Sequence, residues 1–134
     1  MLVEELILKA QEASKMAYAP YSHFNVGAAI LMKDGKVILG ANIENASYPL
    51  SVCAERCALF SAHMQGYQKE DMVSFALFGD IDNYISPCGA CRQVISELYP
   101  KDAPIYLANK ELKYLKTTIK ELLPLAFSEG DLHK

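Results

Sequence analysis

What this chain lacks narrows its reading quickly. Basic charge is in short supply: 13 Lys and Arg face 16 Asp and Glu, a formal charge of −3. A protein that grips a nucleic-acid backbone carries a basic stripe; none stands here, and the mild acidity favours a small substrate over a polyanion. No apolar run approaches the roughly 18 residues a membrane-crossing helix needs. The first residues, Met1-Leu2-Val3-Glu4-Glu5, hold two acids where a signal peptide carries positive charge, so the expected location is the cytoplasm. Repeats, linkers and low-complexity segments are missing too, and 1–134 read as one domain, long enough for a hydrophobic core. Histidine is scarce, and none of His23, His63 and His133 has a partner at metal-ligand spacing. Each reads as a solvated or locally bonded side chain.

Cysteine is sparse but patterned. The four stand at Cys53, Cys57, Cys88 and Cys91. In a short secreted protein they would suggest two disulfides; in a reducing compartment a Cys-x-x-Cys pair points to metal or redox chemistry. Half of the residues (51%) are apolar and 22% charged, ordinary for a globular domain.

The chain reads in order as follows. Small and apolar residues at Leu2, Leu6, Ala10, Ala13 and Ala17 give one face of a helix from about Leu2 to Ala19, stopped by Pro20. Val26 to Met32 and Val37 to Leu39 flank Lys33-Asp34-Gly35-Lys36, a hairpin signal. The polar run Asn42–Pro49 leads to a helix from Cys53 to about Gln65. Met72 to Phe78 is a buried strand, Pro87 opens a helix running to Tyr99, and Ile105–Leu107 is a short strand. Asn109 to Thr117 is ambiguous between loop and edge strand. Thr118-Ile119-Lys120-Glu121 resembles a capping box before a short last helix, and the remaining tail is polar. The order is that of a mixed, three-layer α/β domain, with two helices starting at cysteines.

Those starts carry the chemistry. Cys53 falls in a first helical turn, where unpaired N–H groups and the helix dipole favour an anion. Cys88 and Cys91 are three apart, hence on one face of their turn. Three thiols leave the fourth position of a tetrahedral zinc open to water, and a carboxylate that is not a ligand, Glu55, can move protons. A structural zinc site would need Cys57 as a fourth ligand; flanked by Ala58 and Leu59, it reads instead as a small core residue. A thioredoxin-like reading fails because no N-terminal βαβ unit precedes the Cys-x-x-Cys. Three thiolates and a carboxylate outweigh a divalent cation, so a counter-charge is needed. Arg56 is expected to donate hydrogen bonds to ligand sulfurs; Arg92 is either a second such cation or a surface residue.

A Cys-x-Glu followed by Pro-Cys-x-x-Cys is the general signature of zinc deaminases that act on nucleobases. Beyond it, Ala19-Pro20-Tyr21-Ser22-His23-Phe24, Val26-Gly27-Ala28-Ala29, Asn42-Ile43-Glu44-Asn45-Ala46, Cys53-Ala54-Glu55-Arg56 and Ser86-Pro87-Cys88-Gly89-Ala90-Cys91-Arg92-Gln93 run nearly the length of the chain. Together they resemble the small, homotetrameric cytidine deaminases. The resemblance implies a five-stranded mixed sheet with helices on both faces. It implies one Zn2+ per chain on Cys53, Cys88 and Cys91, and Glu55 as the proton carrier in hydrolytic deamination of cytidine and 2′-deoxycytidine. It further implies that Phe24 stacks on the pyrimidine, that Asn42 and Glu44 bind ribose hydroxyls, and that the Ala54 backbone reads the base edge. Tyr48 and Phe127 would complete a neighbouring subunit's site. The rival expectations are a deaminase of a modified nucleoside such as blasticidin S, a nucleic-acid editing deaminase, and a zinc module without catalysis.

Overall fold

The computed structural model describes residues 1–132, so His133 lies outside the described residues. Five strands form one sheet in the order β2-β1-β3-β4-β5, with β3 and β4 parallel and every other pair antiparallel. They are β1 (Val26–Met32), β2 (Val37–Ala41), β3 (Met72–Gly79), β4 (Ile105–Ala108) and β5 (Tyr114–Thr117). The hairpin turn is the expected one. Gly35 sits at φ 91° and its N–H donates to Met32, a conformation glycine takes without a Cβ clash. The ambiguous stretch after β4 resolves as the edge strand β5, whose residues are mostly exposed.

Helices cover both faces. α1 (Val3–Ser14) packs Leu6, Ile7 and Ala10 onto Ala29, Ala76, Phe78 and Tyr106. On the other face, α2 (Ala54–Met64) and α3 (Gly89–Leu98) bury Ala54, Ala58, Leu59, Ala62 and Ile95 against Ala28, Ile30, Phe75 and Leu77. Tyr99 closes this core edge-on to Phe75, ring centroids 5.3 Å apart, and donates its hydroxyl to Pro104 O at 2.7 Å. α4 (Ile119–Leu122) and α5 (Glu129–Leu132) finish the described chain. At α4 the capping box is half formed: Thr118 accepts from Glu121 N, while the Glu121 carboxylate turns to Thr117.

The helices depart from their expected boundaries. α1 ends at Ser14, not near Ala19, and its inward face is Leu6, Ile7, Ala10, Ala13 and Ser14, with Leu2 exposed. The chain leaves the helix early because Tyr18 bonds across to Asn42 O and receives Glu44 N, tying the entry loop to the end of β2. α2 and α3 start one and two residues later than expected. Cys53 and Cys88 are the N-cap residues themselves, in extended backbone, with Pro87 before the cap. The cap carbonyl already accepts the first helical bond, from Cys57 N to Cys53 and from Arg92 N to Cys88.

Candidate active site

The register fixes where the site lies. Val26 pairs with Gly79 and Gly27 with Ala41, so the start of β1 and the ends of β2 and β3 share one edge of the sheet. The carboxyl ends of strands are where open α/β sheets bind ligands. Into that edge run both cysteine-capped helices. α2 comes unusually close: a Cβ on Gly40 would stand 2.5 Å from Ala54 O and 2.5 Å from Ala58 N. The missing side chain at Gly40 therefore sets the depth of the Cys53-Ala54-Glu55 turn, and Ala54 is fully buried.

The three sulfurs meet. Those of Cys53, Cys88 and Cys91 all lie within 4.8 Å of one another, Cys53 and Cys88 at 3.8 Å. A tetrahedral zinc with bonds of about 2.3 Å to sulfur has edges of about 3.8 Å, so the donor set fits the ion in type and spacing. Cys88 Sγ also accepts the Cys91 N–H at 3.4 Å. A thiolate is favoured at Cys53, held down to about 5 by the hydrogen bond from Cys91 first, with Arg56 and Cys88 adding to it. Cys91 is pushed up because it shares its proton with Cys53 and is buried. An anion with two thiols turned toward it suits a thiophilic cation. Cys57 is outside this cluster. It is half-buried, not the core residue expected, because the inward face of α2 is Ala54, Ala58, Leu59 and Ala62 and Cys57 rides its rim.

Glu55 is 4% exposed. Burial, with the Cys53 charge adding to it against a bond from its own N–H, raises its carboxyl to about 7. A carboxyl titrating near neutrality can both take and return a proton. Arg56 stands where a counter-charge is needed: Nη2 donates to Cys53 Sγ at 3.6 Å and to Ser51 O at 3.5 Å. Its buried Nε has no acceptor among the described residues. Arg92 instead bonds three oxygens, of Ser86, Pro87 and Leu122, and among the described residues no sulfur. The Arg56→Ala protein is expected to lose about 10-fold or more in turnover and to release zinc faster to a chelator, since hydrogen bonds to charged groups are worth about 1.5–3 kcal/mol. Full zinc content with full turnover would remove this role.

Of the residues expected to bind substrate, Phe24 and Asn42 come together at the same edge. A Cβ on Gly79 would meet the Phe24 ring at 3.3 Å, so glycine there lets the ring lie over the end of β3. Asn42 pins that loop, accepting Val26 N at 2.9 Å and donating to Phe24 O at 2.8 Å. Glu44 accepts the N–H groups of Tyr21 and Ser22 at 3.0 and 3.1 Å, and the Ser22 hydroxyl. Those bonds, the hydroxyl's first, keep its carboxyl below the usual range. Ser22, which also accepts from Phe24 N, was not singled out by sequence reasoning; its place in the Tyr21-Ser22-His23-Phe24 run was the only signal. His23 and His63 are exposed, as expected. Tyr48 and Phe127 do not join the cluster within one chain. Tyr48 is 68% exposed on a 3₁₀ turn. Phe127 lines a groove of about 520 Å3 that includes none of the three cysteines or Glu55.

An α/β/α domain with three thiols and a buried non-ligand carboxylate at one sheet edge is built as a hydrolase that uses zinc to activate water. Comparison with known proteins narrows the class. Residues 2–107 match the cytidine and deoxycytidylate deaminase zinc-binding region. A cytidine deaminase of Halalkalibacterium halodurans is 52% identical over 128 residues, 96% of each chain. The crystal structure of a cytidine deaminase from Burkholderia pseudomallei superposes with a TM-score of 0.92 at 47% identity, covering 95% of this chain and all of that one. A blasticidin-S deaminase of Bacillus cereus is more distant, 37% identical over 94% of this chain. The chain belongs to the cytidine and deoxycytidylate deaminase family, and its fold is the five-stranded mixed sheet expected of it.

Proposed function

We propose that this chain hydrolyses cytidine and 2′-deoxycytidine to uridine and 2′-deoxyuridine, releasing one ammonia per water consumed, as a step of pyrimidine salvage in the cytoplasm. The observation that carries the reading is the buried carboxyl of Glu55, raised to about 7, beside three sulfurs at zinc spacing. Zinc held by Cys53, Cys88 and Cys91 would supply Lewis-acid activation of the attacking water. Glu55 takes one proton of the water and returns it to the ring nitrogen, then carries the remaining hydroxyl proton to the amino group, which departs as ammonia. Phe24 holds the pyrimidine face, the Ala54 backbone reads its edge, and Arg56 balances the sulfurs' charge. Asn42 keeps one amide hydrogen free for a ribose hydroxyl after its bond to Phe24 O. Glu44, already fixed by the Tyr21–Ser22 loop, presents its oxygens to a ribose hydroxyl without further ordering.

The assembly proposed is a homotetramer in which Tyr48 and Phe127 complete a neighbouring subunit's site. Support comes from rings left largely in solvent by one chain, Tyr48 at 68% and Phe127 at 56%. Thiolate ligands also suit a reducing compartment. No helix among the described residues is long and apolar enough to cross a membrane.

Ultraviolet spectrophotometry of the zinc-loaded protein with cytidine tests the reading. Conversion to uridine with stoichiometric ammonia is expected. Absence of turnover with zinc bound would redirect the substrate to a modified nucleoside such as blasticidin S, and Asn42 and Glu44 would lose their roles first. Light scattering should return a mass near four times the 14.9 kDa chain.

A further inference from the structure

The Pro-Cys-x-x-Cys motif continues into Arg92-Gln93, and neither side chain is used by the zinc or the proton relay described above. Arg92 donates from Nε to Pro87 O at 2.9 Å, from Nη2 to Ser86 Oγ at 2.7 Å and from Nη1 to Leu122 O at 2.7 Å. Gln93 donates from Nε2 to Phe127 O at 3.0 Å. Two consecutive residues directly after a metal ligand thus hold both ends of 122–127, some 30 positions downstream. Between those ends the backbone does something unfavourable: Leu125 adopts φ 54°, and its side chain is fully exposed. A non-glycine residue in the left-handed region persists only where its surroundings over-determine it. Here the two clamps lie on either side of it.

We infer that Arg92 and Gln93 are positioning residues that hold the Leu122–Phe127 segment in register with the Cys88–Cys91 loop, so that each chain's metal-bearing turn sets where its Phe127 is presented. This rests on the proposal that Phe127 reaches a neighbouring subunit's substrate. The two residues divide the work. Arg92 ties the segment's start to the two residues preceding Cys88, and Gln93 ties its far end, at the ring that does the presenting. Substrate affinity in one subunit therefore depends on hydrogen bonds made in the next, beside that subunit's own metal.

Gln93 gives the cleaner test because its lost bond touches no ligand-bearing loop. In the zinc-loaded enzyme, Gln93→Ala is expected to raise KM for cytidine about 3- to 10-fold, the cost of one lost hydrogen bond expressed as binding. Turnover number should stay within about twofold, and zinc at one per chain. Phe127→Ala should raise KM at least as much, and Gln93→Ala added to Phe127→Ala should raise it no further, since contacting residues are not additive. A role confined to folding would lower Tm equally in both backgrounds and leave KM alone, which would overturn the inference. If Phe127→Ala itself leaves KM unchanged, the neighbour-site reading fails, and this inference with it. If Phe127→Ala raises KM but Gln93→Ala does not, only this inference falls. Arg92→Lys, which keeps the charge but loses the three-way fork, is expected to raise KM and also to speed zinc loss to a chelator; unaltered values for both would remove Arg92 from the device.

Discussion

The Glu55→Gln enzyme is expected to hold one zinc per chain and to deaminate cytidine at least about 10²–10⁴-fold more slowly, the usual contribution of a positioned proton carrier. Glutamine matches glutamate in shape and leaves Cys53, Cys88 and Cys91 untouched, so metal binding should survive. It cannot take a proton from water or hand one to the ring. Burial sharpens the effect, because a carboxyl 4% exposed leaves bulk water little access to substitute for it. KM should move far less than turnover, since the lost interaction belongs to proton transfer and not to ground-state binding. Metal analysis alongside steady-state kinetics separates the possibilities. Loss of zinc would make Glu55 a structural support of the ligand turn. Unchanged turnover would hand the proton work to another group and make Glu55 incidental to the chemistry.

The meeting of the three sulfurs and the burial of Glu55 beside them were legible in the sequence because spacing alone encodes them. Cys53 and Glu55 sit two apart at a helix start, and Cys88 and Cys91 share a turn, so local geometry suffices to aim each side chain. The hairpin was legible for a similar reason: two short, continuous apolar runs flank the Asp34-Gly35 turn and set it without long-range information. What spacing could not give is anything settled by contact across the chain. Asn42 and Glu44 look like turn residues until the end of β2 is seen to receive the Tyr18–Phe24 loop. The roles proposed for them come from resemblance to the family; composition and periodicity did not supply them. α1 stops at Ser14 because Tyr18 is claimed by Asn42 and Glu44, 24 to 26 positions on, a competition invisible to helical periodicity. The apolar neighbours of Cys57 suggest a core residue, whereas burial on a helix depends on angle about the axis. The choice between Arg56 and Arg92 as the sulfurs' counter-charge was likewise open in the sequence. It closed when Arg56 was found at Cys53 and Arg92 at three carbonyl and hydroxyl oxygens.

Removal of Cys91 should produce the other large effect, and a different one. Cys91 is fully buried on α3, while Cys53 caps α2, so a zinc shared by them would tie the starts of two helices together. Cys91→Ser nearly keeps the side chain's shape but replaces the thiol with a hydroxyl, a poor ligand for a thiophilic ion. Dialysis against a mild chelator is expected to leave the variant with little zinc and turnover reduced by about 10³-fold or more. Its thermal midpoint should also fall, because metal-binding free energy is folding free energy when the unfolded chain has no preformed site. Added zinc should restore activity to chelator-stripped native protein but not to the variant. Cys57→Ala provides the contrast: its thiol lies outside the cluster, so zinc content and turnover should match the native protein. If Cys57→Ala lost its metal, the site would be a closed four-thiol one, with no open position for water and no route to deamination. The pair of variants therefore decides between catalytic and structural zinc on metal content alone, before any substrate is chosen.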